Sequence, residues 1–345
     1  MKALTLAATG GIEQLRVQEL PQPSIQSPGD VVVRVQAAAL NRLDLFVATG
    51  LPGSRISFPH VVGSDGAGVV HEVGEAVSRI RPGDRVMIDP TLSCGACPAC
   101  ADEEDSLCSN LRVLGEHCSG TIAEYVVVPA RNLAVVPPGM SWAQAAAFSL
   151  ATLTAWRMLT TRARVRAGET VLIWGIGGGV AIAALQIARL LGARTIVTSG
   201  SDEKLGVGRR LGADLALNHQ TADIRAEVRK YTDGQGADVV VDSIGERTWT
   251  DSLRSLRRGG RLVICGATTG PMVSMDLRRL FWHGWSILGS TLGSRREYGQ
   301  IAAHAAEGRL WPVIDSIVPL DEAGAAYGRL QRGEQAGKLV IEVAR

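Results

Sequence analysis

The residues with the most specific chemistry lie in one short loop. Cys94, Cys97, Cys100 and Cys108 are spaced C-x2-C-x2-C-x7-C in a stretch otherwise rich in Gly, Pro, Asp and Glu. Four thiolates carried on short turns satisfy a tetrahedral Zn²⁺. A site with four protein ligands leaves no position for a substrate, so the loop reads as a structural zinc site, one per subunit. An iron–sulfur cluster uses the same donors, but no other redox motif accompanies it. Two disulfides fit less well in a reducing compartment. Cys118 and Cys265 read as small buried residues.

A second constellation runs from Thr170 to Ala193, TVLIWGIGGGVAIAALQIARLLGA. An apolar run with β-branched residues meets a glycine cluster at Gly175, Gly177, Gly178 and Gly179, and a helical pattern follows from Val180 to Leu191. A turn without β-carbons lets a pyrophosphate approach the backbone, and the free N–H groups and positive end of the helix face it. The next strand ends Thr198-Ser199-Gly200-Ser201 with no acid at its tip. An acid there binds the ribose 2′-hydroxyl of NAD. Hydroxyls of Ser199 and Ser201 with the Lys204 ammonium suit a 2′-phosphate instead, so NADP(H) is favoured over NAD(H). Ser201 also suits the N-cap of the helix that begins at Asp202.

These residues need elements to hold them. Short runs at Lys2 to Leu6, Leu15 to Glu19, Asp30 to Ala38, Gly68 to Val73, Asp84 to Asp89 and Glu124 to Pro129 are separated by Gly and Pro. They predict a small barrel-like domain ending near residue 130. From about 142 the texture changes: Trp142 to Ala163 is helical, and from 170 strands alternate with helices. That rhythm predicts an α/β domain with a doubly wound parallel sheet. After Thr291 the pattern is helix, strand, helix, and a last strand from Lys338 to Val343.

At 345 residues the chain is too long for one ordinary core. With 46% hydrophobic and 20% charged residues it is globular in composition, and a net charge of +2 with no run of like charges gives nucleic acid or an anionic membrane no purchase. No apolar run approaches the length of a membrane span, and the N-terminal MKALTLAATGGIEQL has no targeting pattern. A cytoplasmic protein without nucleic-acid or membrane partners is expected.

The chain as a whole resembles the medium-chain dehydrogenase/reductase superfamily, and within it the quinone oxidoreductase-like branch. The resemblance rests on Ala39-Leu40-Asn41-Arg42-Leu43-Asp44, Gly63-Ser64-Asp65-Gly66-Ala67-Gly68, Pro82-Gly83-Asp84-Arg85-Val86, the cysteine loop, the glycine turn and Gly259-Gly260-Arg261-Leu262-Val263. It implies a GroES-like β-barrel domain over residues 1–130, a Rossmann domain over 131–292, and a segment 293–345 returning to the first domain. It further implies a homodimer or homotetramer, with the strand near Ile287 to Leu292 at the dimer sheet edge. Among cofactor contacts it places Asn41, Thr154, Val180, Gly266, Ser290, Thr291, Leu292 and Lys338 beside the glycine turn.

This chain departs from the zinc-dependent pattern at the metal. Members with a catalytic zinc carry Cys where it has Asn41, His-Glu where it has Ser64-Asp65, and Cys or an acid where it has Leu150; a relay hydroxyl and His are replaced by Leu43 and Phe46. Amide, hydroxyl and leucine are poor ligands for such a zinc, so no catalytic zinc is expected. A rescue set of Asp44, His60 and Asp65 is the alternative. Without metal, hydride transfer to a quinone or to the C=C bond of an α,β-unsaturated carbonyl is the expected reaction, because the negative charge spreads into an enolate or hydroquinone. Asn41 and Asp44 are the candidate catalytic residues: Asn41 to donate to the developing oxyanion, or only to brace the backbone, and Asp44 to orient neighbours. Ser64 and Asp65 are read as shaping their loop. The alternatives are a zinc-type alcohol dehydrogenase with substitute ligands, and an NADPH-binding structural protein of the crystallin type.

Overall fold

The computed structural model describes residues 1–53 and 56–344. The chain divides into two compact units, Met1–Ala151 with Gly293–Arg345, and Thr152–Leu292. The expected boundary near 130 therefore moves about twenty residues onward. The reason is local: Leu133–Val135 pairs antiparallel with Arg85–Ile88, so the segment after residue 130 still belongs to the first sheet.

In the first unit the strand Asp30–Ala39 is the hub. On one edge it pairs with Asp65–Val73. On the other it takes Tyr125–Pro129 along residues 30–34 and Lys338–Glu342 along residues 37–39. One strand can serve two partners on the same side because it bends, with register shifts between Val32 and Val33 and between Val35 and Ala37, as bulges do. Lys338–Glu342 also pairs in parallel with Ile314–Pro319, so the C-terminal residues are built into the sheet rather than laid on it. Val31, Val33, Val35, Ile88, Val126, Leu339, Ile341 and Tyr327 share one buried core.

The second unit carries six parallel strands in the order Leu215–Asn218, Arg194–Ser199, Thr170–Ile173, Ala237–Asp242, Leu256–Ile264, Ser286–Gly289. Numbered within the unit, that is 3-2-1-4-5-6, the doubly wound dinucleotide-binding order whose switch point lies between strands 1 and 4. The strands read as continuous apolar runs because helices cover both faces; Val171, Leu172, Ile173, Val239 and Val240 are fully buried. Ser286–Gly289 ends the sheet. Around it Leu277, Phe281, Trp282 and Ile287 are exposed.

Several elements agree closely with the periodicity, among them Lys2–Leu6 and Leu15–Glu19. The helix expected to Ala163 is α-helical only over Trp142–Trp156 and widens to π-type turns over Arg157–Arg162. The helices Arg42–Thr49, Pro98–Ala101 and Leu277–His283 and the strand Leu215–Asn218 are among the elements with no counterpart in the sequence reading. Among the described residues no helix is long and apolar enough to cross a membrane.

Candidate active site and metal-binding loop

The cysteine loop is held by side chains that bond backbone. Asn132 donates from Nδ2 to the carbonyls of Asp89 (3.2 Å) and Thr91 (2.8 Å), and Arg131 donates to the Ser93 carbonyl. Behind the loop, buried Asp105 accepts from Ser93 Oγ at 2.7 Å and from the backbone and Nε of Arg295 at 3.1 and 3.2 Å. Arg295 opens a helix, Arg295–Ala306, whose start is closed by a Ser294/Glu297 capping box.

The four sulfur atoms lie within 4.8 Å of one another. Cys97 and Cys100 are 3.5 Å apart and Cys94 and Cys100 3.9 Å. A tetrahedron with Zn–S of about 2.3 Å has S···S edges of roughly 3.8 Å, so the set fits zinc. These separations are far beyond a disulfide bond, and all six cysteines are free. The loop treats its thiols differently: burial pushes the Cys100 thiol up to about 11, whereas backbone donors act on its neighbours. Backbone N–H groups of Cys100 and Ser109 pull the Cys97 thiol down to about 6, and Cys108 Sγ accepts from the N–H of Cys94 and Asn110. Among the described residues this is the one group of three or more His, Cys, Asp or Glu placed to share a metal ion. Asp44, His60 and Asp65 are not gathered as a rescue set; His60 Nε2 is instead 3.0 Å from the Gly115 carbonyl oxygen.

At the positions where the zinc-dependent pattern would place ligands, the structure builds a buried polar triangle. Asn41 is the N-cap of Arg42–Thr49 in a capping box with Asp44, whose Oδ2 accepts from Asn41 N at 2.6 Å. The Asn41 side chain also has two partners far away in sequence: Nδ2 donates to Asp65 Oδ2 at 3.0 Å, and Oδ1 accepts from Lys338 Nζ at 2.6 Å. Lys338 Nζ also donates to Asp65 Oδ2 at 2.9 Å. The other Asp65 oxygen accepts from Leu150 N at 2.7 Å. Asn41, Asp65, Leu150 and Lys338 thus converge, with Lys338 only 4% and Asp65 0% exposed.

One reading changes here. Asp65 does more than shape a loop: it is the acceptor on which the triangle closes. Lys338, expected among cofactor contacts, gives two of its three hydrogens to Asn41 and Asp65. Nearby, Ser64 Oγ and Asp44 Oδ1 are buried without a hydrogen-bond partner. Burial holds the Asp44 carboxyl up to about 7, against the opposing pulls of the Asn41 N–H and the Lys338 charge.

The second unit assembles the glycine turn as a phosphate cradle would require. Gly175 and Gly177 have φ of +73° and +139°, a backbone open to glycine and strained for other residues. Gly178 caps a helix of twelve residues, Gly179–Leu190, with Val180 in its first turn. The family's last glycine is here Ala181, buried against the sheet. Ser199 closes its strand and its Oγ accepts from Ser201 N at 3.1 Å. Ser201 Oγ accepts from Lys204 N at 3.4 Å, so Ser201 does cap the helix Asp202–Arg210. Each hydroxyl keeps its own hydrogen to donate. Gly266 lies with its α-carbon against Ser243, where a β-carbon would come within 3.0 Å of a carbonyl oxygen. Ser290 N bonds the Ile264 carbonyl while its Oγ is buried and unpartnered. Thr291 is exposed, Leu292 adopts φ +44°, and Thr154 is buried. His219 tilts against Trp174 with ring centroids 6.1 Å apart, beside Gly200. Its proximity to the strand tip had no signal in the one-dimensional pattern.

The comparisons with known proteins agree with both units. Residues 27–138 match the family described as alcohol dehydrogenase GroES-like domain, and residues 179–307 match zinc-binding dehydrogenase. An NAD-dependent alcohol dehydrogenase of Sulfolobus acidocaldarius is 33% identical over 99% of this chain and 100% of its own. A quinone oxidoreductase of Sus scrofa is 30% identical over 99% and 97%. A crystal structure of an NAD-dependent alcohol dehydrogenase superposes with a TM-score of 0.96 at 43% identity, covering 100% of both chains. Matched along nearly its whole length, the chain belongs to the medium-chain dehydrogenase/reductase superfamily and is an oxidoreductase of the dehydrogenase kind.

Proposed function

We propose that the protein is an NADPH-dependent reductase that delivers hydride to a quinone or to the C=C bond of an α,β-unsaturated carbonyl without a catalytic zinc. The carrying observation is the buried triangle: where a catalytic metal would need ligands, Asn41 and Asp65 close on the Lys338 ammonium, and the Leu150 N–H takes up the other Asp65 oxygen. A bound nicotinamide would supply the hydride. Backbone amides of Gly177 to Val180 would hold its pyrophosphate, the hydroxyls of Ser199 and Ser201 with Lys204 its 2′-phosphate, and Thr154, Gly266, Ser290, Thr291 and Leu292 the nicotinamide end.

For the acceptor, one amide hydrogen of Asn41 is committed to Asp65. The other runs 3.4 Å to the Ala39 carbonyl, at the outer limit of a hydrogen bond. That hydrogen is the one free to turn toward an enolate or quinol oxygen, with Asp44 fixing the Asn41 backbone. The zinc held by Cys94, Cys97, Cys100 and Cys108 serves the loop alone. The exposed apolar residues around the edge strand Ser286–Gly289 suit pairing with a second copy as a homodimer, or two such pairs as a tetramer, and a cytoplasmic setting suits six unpaired cysteines.

A second reading, NAD-linked oxidation of alcohols, is favoured by the names of the Sulfolobus relative and the 43% identical structure. The two separate in one assay. NADPH oxidation is followed with a quinone and an enone, and NAD⁺ reduction with a primary and a secondary alcohol, each with and without a chelator. Chelator-resistant turnover of quinone or enone is expected. Chelator-sensitive alcohol oxidation as the dominant activity would establish the second reading, and binding of NADPH without any turnover would point to a structural protein.

A further inference from the structure

We propose that the Lys338 ammonium is the resident cation of this corner of the first unit, standing where zinc-dependent relatives hold their catalytic metal and closing the site to divalent ions. This deepens the metal-free reading above and rests on it, but the metal count below requires no acceptor.

Asn41 Oδ1 and Asp65 Oδ2 both accept from one nitrogen, at 2.6 and 2.9 Å, which is how oxygen ligands surround a cation. The ammonium is 4% exposed and its carboxylate partner 0%, so the pair is stable only as a pair: either charge left alone would be buried without compensation. Asp44, also buried, stands close enough for its charge to feel the ammonium. The sequence distances, 297 residues to Asn41 and 273 to Asp65, show that the arrangement is made by the return of the C-terminal strand into the sheet. A divalent ion entering among these oxygens would meet a fixed positive charge, and the Asn41 amide would lose the contact that keeps its oxygen toward Nζ and its nitrogen toward Asp65. Lys338 is therefore a positioning residue. It acts through Asn41 on the side chain read above as facing the acceptor.

Cobalt titration of the full-length protein, after exchange of its native metal, tests this. Wild type is expected to bind one Co²⁺ per chain, with the sulfur-to-cobalt charge-transfer bands of a tetrathiolate. Lys338→Ser is expected to bind a second, oxygen-coordinated Co²⁺ lacking those bands, because Asp65 then lacks its countercharge. In Lys338→Ser with Asp65→Asn the count should return to one. Two cobalt ions in wild type, or one in a folded Lys338→Ser protein, would overturn the proposal. The tetrathiolate bands report folding of the same unit. If the serine variant does not fold, the wild-type count decides, one ion supporting and two overturning. Where an acceptor is in hand, the serine variant should lose about 10²-fold in kcat with the KM for NADPH little changed; a change in KM alone would return Lys338 to the cofactor. If wild type reduces no quinone or enone while the metal counts follow expectation, the function reading has failed and the cation assignment stands.

Discussion

At the scale of single residues, burial of charge dominates. The Asp44 carboxyl is held up to about 7, chiefly by burial, so the folded chain keeps a proton that an unfolded aspartate, with its ordinary value near 3.8, has lost. Between those values the folded state binds more protons than the unfolded one, and stability falls as pH rises from about 4 to about 7. Asp89, also raised to about 7 by burial, adds to the same slope. Asp44→Asn retains an oxygen for the Asn41 N–H, so it should fold, flatten part of that slope and raise stability at pH 8 by about 1–3 kcal/mol. Denaturant melts at pH 5 and pH 8 would show it. An unchanged difference between the two would mean that Asp44 ionises freely.

At the scale of elements, the tip of Arg194–Ser199 and the start of Asp202–Arg210 carry the choice of cofactor. Ser201 both caps that helix and lies beside the expected 2′-phosphate. Ser201→Asp separates the roles, because aspartate caps a helix as well as serine does while placing a negative charge against a phosphate. Thermal stability should hardly change, whereas kcat/KM with NADPH should fall at least about tenfold relative to NADH, an energy near 1.4 kcal/mol. If the ratio does not move, the 2′-position lies elsewhere and the second cofactor reading gains. The same scale explains what periodicity missed. Arg42–Thr49 has only eight residues and follows a long strand without a turn signal, so its capping box was legible only once Asp44 was seen to bond the Asn41 N–H. Leu215–Asn218 is four residues long and partly exposed, too short for a period to register.

At the scale of the molecule, the first unit is discontinuous in sequence. Lys338–Glu342 sits in its sheet between Asp30–Ala39 and Ile314–Pro319 and buries Leu339, Val340 and Ile341. At about 1.5–3 kcal/mol for each buried side chain, their loss approaches the whole stability of an ordinary domain, about 5–15 kcal/mol. A chain ending at Ala336 should therefore fail to retain zinc and become protease-sensitive through residues 1–151. Native zinc content and an unchanged melting curve would show that the strand is dispensable.

The amino-acid sequence by itself determined the cysteine loop, the glycine turn and the alternation of strands and helices, because each is written in spacings of a few residues that local geometry must obey. The resemblance to the family pattern added the positions, Asn41, Ser64-Asp65 and Leu150, at which zinc-dependent members carry ligands. Only the tertiary structure decided what stands in their place. Asn41, Asp65 and Lys338 are ordinary residues in three distant segments, and nothing local marks an amide, a carboxylate and an ammonium as partners. Their meeting depends on which strand lies beside Asp30–Ala39, a matter of long-range sheet pairing and of burial deep enough that each charge requires the other.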